Sequence, residues 1–165
     1  LTRDNAEPVW LWEGGAKIAE ELYLQQEYGQ CEFDNDLFPL VATGLSQPAD
    51  FEDYVDADWD INYNFSTFMA LALARELQEE QGLSEARAFK VILKDFQAAK
   101  LTEPDWKIAF AETFSMSPEE FYATLDQYPT VASDQDWFEG DVLDVPSLMP
   151  SKDLTFTDVL SASAS

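Results

Sequence analysis

The chain has 165 residues, of which 46% are hydrophobic and 14% aromatic, enough to bury one substantial core but short for two domains. Thirty-three acidic residues against nine basic ones give a formal charge of −24, and a surface of that sign repels both phosphate backbones and anionic lipid, so neither nucleic acid nor a membrane surface is expected as a partner. No run of about eighteen apolar residues that could span a bilayer is present, and a single cysteine, Cys31, leaves no disulfide within the chain.

Residues 8–28 predict the first helix. Leu11, Gly15, Ile18, Ala19 and Leu22 fall on one stripe at helical spacing, Val9, Trp12, Ala16 and Tyr23 widen it to nearly half the circumference, and Glu13 sits just beyond its edge. Pro8 suits a first turn, where its missing N–H costs nothing, Glu7 complements the helix dipole, and Gly29 supplies a stop. Gly14 and Gly15 each cost a helix about 1 kcal/mol relative to alanine, which predicts that another helix or a bound group approaches the backbone beside Glu13. On an exposed face, Glu13 and Lys17 would form an i, i+4 pair.

From 29 to 61 no period is sustained, and Pro39, Gly44, Pro48 and many Asp predict a long acidic loop. Leu37, Phe38, Leu40, Val41 and Leu45 are expected to cover the core. Cys31 reads as a small buried side chain rather than a nucleophile, since the chain has no histidine to serve as its base. The oxygen side chains of Asp56, Asp58, Asp60 and Asn62 alternate as in a calcium loop. An EF-hand, however, needs glycine at the sixth position and glutamate at the twelfth, here Ile61 and Thr67, so helix capping is preferred to calcium binding.

Residues 62–81 predict a central helix, apolar all round between Phe65 and Ala74 and ended by Gly82. Ser84 opens a third helix running to about Lys100. Thr102 is expected to cap a fourth, with Pro104 in its first turn and Asp105 reaching back. Ser117-Pro118-Glu119-Glu120 opens a fifth, with Phe121, Leu125 and Tyr128 facing inward. Residues 129–160 read as a mostly non-helical strap over the bundle and 161–165 as a frayed tail. The expected fold is therefore a single all-α domain over 1–160: a glutamate helix at 8–28, a loop at 29–61, a helical bundle at 62–128 and the strap.

The pattern P-x-W-x-x-E-G-x-A at Pro8 to Ala16 resembles the glutamate helix of the gluzincin zinc metallopeptidases, and the order of later elements through Tyr128 resembles that family more loosely. The resemblance implies that Glu13 is the third zinc ligand, Trp10 a packing aromatic and Gly14 a close-contact glycine. It also implies that Tyr63, at the start of the central helix, hydrogen-bonds the oxyanion of a tetrahedral intermediate; an ordinary buried tyrosine is the alternative. In that family the other two ligands and the general base come from an upstream His-Glu-x-x-His helix. This chain has no histidine, so that helix precedes Leu1 or the metal has been lost. The implied role is a C-terminal helical subdomain of a peptidase, inactive alone, whose partners are the upstream domain of the same protein and a peptide or protein substrate. The competing expectation is a non-catalytic acidic interaction or scaffold module in which Glu13 is structural. The acidity and the leucine at position 1 favour a processed chain in a secreted or periplasmic setting.

Overall fold

The computed structural model describes residues 8–29, 47–53, 59–128 and 148–163. The expectations for Cys31, for the apolar residues between 37 and 45, for the side chains of the oxygen run at 56–62 and for the strap between 129 and 147 lie outside the described residues. Within them all regular structure is helical, as the sequence predicts.

Helix α1 (Val9–Tyr28) starts where the Pro8 carbonyl accepts the N–H groups of Leu11 and Trp12, and it stops at Gly29, which adopts the left-handed conformation at φ 65° and donates its N–H to the Gln25 carbonyl. Its main packing partner is α2 (Trp59–Gln81), which begins three residues earlier than expected. Every residue from Phe65 to Ala74 is buried, Ser66 and Thr67 included, so α2 is the central helix of the bundle.

The rotation of α1 differs from the expected one. Its buried positions are Trp10, Leu11, Gly14, Gly15, Lys17, Ile18, Glu21 and Leu22, whereas Trp12 and Tyr23 are 57% and 49% exposed. The cause is Gly14. A Cβ there would lie 2.1 Å from the Ser66 carbonyl oxygen and 2.9 Å from the Ala70 Cβ, so the bare backbone of α1 sits directly on α2 along the Gly14 side. That contact turns Lys17 and Glu21 inward and leaves the Trp12, Ala16 and Tyr23 side outside.

The third helix is continuous but not regular: α3 (Glu85–Lys90) passes through a π-helical turn at Val91–Asp95 into α4 (Phe96–Lys100). Ser84 caps its start by accepting the Arg87 N–H, and Arg87 forms an ion pair with Asp95 across the π turn. Helix α5 (Trp106–Phe114) is capped by Asp105, whose carboxylate accepts the Lys107 N–H at 2.9 Å. The expected cap, Thr102, instead donates its hydroxyl to the Ala99 carbonyl and closes the preceding helix. Pro104 thus precedes the cap instead of occupying the first turn. Helix α6 (Pro118–Thr124) has the full reciprocal capping box between Ser117 and Glu120, followed by a 3-10 turn at Leu125–Gln127.

Trp10 is the hub of the aromatic core. It is fully buried, stacks on Phe121 at 5.4 Å and meets Phe110 and Tyr122 edge-on. Phe96 and Phe114 extend the cluster across α4 and α5. The described end of the strap is not wholly extended: Leu148 and Leu154 are buried, and a short helix α7 (Phe156–Ser161), capped by a Thr155–Asp158 box, packs against α3 and α1. Thr155 and Asp158 are the sequence signal for it, three residues apart just ahead of Val159 and Leu160.

Candidate functional site

Two of the residues singled out from the sequence lie within electrostatic reach of each other across the α1–α2 contact. Glu13 precedes Gly14, the point of closest approach, and Tyr63 stands one turn before Ser66, the residue that Gly14 rests on. Both side chains are half-buried. The Tyr63 phenol is raised above its ordinary range, first by burial and then by the negative charges of Glu13 and Glu20, with Lys17 opposing. Its backbone carbonyl accepts the Thr67 hydroxyl at 2.9 Å, which fixes the first described turn at this end of α2. Among the described residues the Glu13 carboxylate makes no hydrogen bond or ion pair.

The expected Glu13–Lys17 pair does not form. The Lys17 ammonium lies 2.7 Å from Glu21 and 3.4 Å from Glu20, one turn toward the C-terminus. Glu21 is fully buried and Lys17 is 8% exposed, so this is an ion pair within the α1–α2 interface and not a surface one. Periodicity missed it, because the pair sits on a stripe that a helical wheel assigns to solvent. The small residues Ser66 and Ala70, one turn apart in α2 and matching Gly14, are the signal that could have shown which side of α1 faces inward.

A second polar array supports the N-terminal end of α1. The Trp10 indole N–H donates to the Tyr122 hydroxyl at 3.1 Å, and that hydroxyl donates to Glu52 at 3.0 Å. The Glu52 carboxylate also faces Lys107 at 3.3 Å, and Lys107 in turn pairs with Glu119 at 3.1 Å. Burial is the main reason the Tyr122 phenol is pushed far above its usual range, with Trp10 opposing and Glu52 adding to the rise. Phe51, packed on Phe65 at 5.1 Å, anchors the same 3-10 turn (Pro48–Glu52). The turn is thereby tied to α2, α5 and α6.

No group of three or more His, Cys, Asp or Glu side chains with metal-holding geometry occurs among the described residues. With no histidine in the sequence, the chain by itself does not fit a catalytic zinc, which requires three protein ligands of which imidazole is the commonest. No helix among the described residues is long and apolar enough to cross a membrane. Comparisons with protein-family models, with curated proteins and with solved structures give no match.

Proposed function

We propose that this chain is a helical subdomain of the kind that closes a gluzincin-type zinc peptidase site, contributing Glu13 as one ligand and Tyr63 as the hydrogen-bond donor beside it. The observation that carries this reading is a half-buried Glu13, without hydrogen bond or ion pair among the described residues, within electrostatic reach of Tyr63 across a helix contact as tight as Gly14 on Ser66. That contact fixes the backbone on which both side chains stand, and a ligand set must be held within a fraction of an ångström. A phenol whose pKa is raised stays protonated at neutral pH, as a donor to a developing oxyanion must. The remaining ligands belong to another polypeptide segment, so the chain alone is proposed to be without peptidase activity.

Zinc titration tests the assignment. The 165-residue chain alone is expected to take up zinc no better than other acidic proteins. Joined to a segment bearing a His-Glu-x-x-His helix, it should hold one zinc, and Glu13→Gln should weaken that binding about tenfold or more while leaving the helical circular dichroism intact. Full affinity in the Glu13→Gln form would remove Glu13 from the ligand set. Stoichiometric tight zinc in the short chain would replace this reading with a site built from its own carboxylates.

A further inference from the structure

Among the described residues, helix α1 has a second apolar face that the bundle leaves uncovered. Val9, Trp12, Ala16, Ala19 and Tyr23 alternate spacings of three and four residues, the register by which one helix seats against another. Trp12 and Tyr23 are 57% and 49% exposed, Ala16 is exposed, and Val9 and Ala19 are half-buried. Along one side of this seam runs an open groove of about 250 Å³, its floor formed by Gly15 and Leu93 and its far wall by Phe156 and Leu160. The missing side chain at Gly15 deepens the groove, since a Cβ there would touch only the Leu93 methyl at 3.4 Å. Leu93 belongs to the π turn.

The opposite side of the seam is charged. Glu13, Glu20 and Glu27 follow one another at seven-residue intervals and border the apolar residues along their whole length. The one cation of α1, Lys17, is buried against Glu21 and lies 3.4 Å from Glu20. An apolar seam edged by a row of carboxylates is complementary to a helix with an apolar stripe flanked by Lys or Arg. A second copy of this chain fits poorly, because it would bring a formal charge of −24 against its like. The seam spans fourteen residue steps, roughly 21 Å of helix, and so accepts about four turns of a partner.

We infer that this face of α1 docks a basic amphipathic helix of a partner protein, its apolar residues filling the Trp12–Ala16–Ala19 seam and its cations facing Glu20 and Glu27. The inference does not depend on zinc or on Glu13 being a ligand.

Two synthetic helical peptides of about eighteen residues test it. Both share one leucine–alanine seam; one has lysine flanks and the other glutamate flanks. Calorimetry against the full chain at near-physiological salt should show saturable one-to-one binding of the lysine peptide and none of the glutamate peptide. Ala16→Glu adds an attractive charge but spoils the seam, so it should weaken the lysine peptide about tenfold or more, and Trp12→Ser should do the same. Both sites are exposed, and circular dichroism of the two variants checks that either change leaves the bundle folded. Glu20→Lys with Glu27→Lys should reverse the peptide preference. Undiminished binding to both seam variants would mean attraction by the acidic coat alone and would overturn the inference, as would failure of both peptides to bind. Concentration-dependent dimerisation of the chain, abolished by Ala16→Glu, would assign the face to a second copy instead.

Discussion

Gly14 of α1 rests on the backbone carbonyl of Ser66 in α2, with room for no more than a hydrogen atom between them. A Cβ at position 14 would stand 2.1 Å from that oxygen and 2.6 Å from its carbon. Neither atom can swing aside, because both belong to the middle of a buried helix. Gly14→Ala must therefore push α1 off α2, and the strain outweighs the roughly 1 kcal/mol of helix propensity that alanine brings. A net loss of about 2 kcal/mol or more is expected from urea unfolding. Gly15→Ala is the control: its Cβ would meet only the flexible end of Leu93 at 3.4 Å, so the propensity gain should survive and stability should stay level or rise by up to about 1 kcal/mol. Equal responses at the two glycines would mean that the Gly14–Ser66 contact does not set the helix spacing.

The buried ion pair follows from the same contact. With Gly14 fixing the rotation of α1, Glu21 is fully buried, Lys17 is nearly so, and the two face each other at 2.7 Å. Removing one partner leaves the other charge in the interface, and Lys17→Met or Glu21→Leu alone should each cost about 3–5 kcal/mol. Changing both together replaces the pair with apolar volume and should bring stability back to within about 1–2 kcal/mol of the parent. A double-mutant cycle in denaturant measures the coupling. Additive losses would show that the two charges act independently and are solvated in some other way.

Local signals were legible in the sequence and long-range geometry was not. Gly29 and Gly82 end their helices in the left-handed conformation, and Ser84 and Ser117 cap theirs, because each needs only the few residues around it. Thr102 is the expected cap of α5, with Asp105 reaching back, but the Thr102 hydroxyl is taken by the Ala99 carbonyl of the preceding helix, and Asp105 itself becomes the cap. The stripe of α1 was misread for a different reason. Its apolar residues cover almost half the circumference, so hydrophobicity alone cannot say which part faces α2, and the decision falls to a single backbone contact with a helix some fifty residues away. Glu13 and Tyr63 could be nominated from motif and position, but the electrostatic influence of one on the other across that contact is a property of the packed pair of helices. The Glu52–Tyr122–Lys107 array joins three parts of the chain with no shared spacing, and no pattern within one element announces it.

Tyr128 ties the end of the bundle to α2 and gives the fold a measurable alkaline limit. Its ring meets Phe68 edge-on at 5.2 Å, and the neighbouring Gln127 donates to Glu76 at 2.7 Å. The Tyr128 phenol is pushed up to about 12, first by burial and then by the charges of Glu76 and Glu79, with Arg75 opposing. In the unfolded chain it returns to the ordinary value near 10. Below pH 10 the phenol is protonated in both states and its contribution to stability is complete. Between 10 and about 12 the unfolded chain sheds the proton while the folded chain keeps it, so the unfolded state binds fewer protons and stability falls as pH rises. Tyr128→Phe has no proton to lose and should escape this part of the decline. The difference in melting temperature between parent and variant should be constant up to pH 10 and then shift in favour of the variant as pH approaches 12. The raised phenols of Tyr63 and Tyr122 are common to both proteins and cancel in that comparison. Parallel melting curves across the window, or a phenolate absorbance that titrates fully near pH 10 in the folded protein, would refute the assignment.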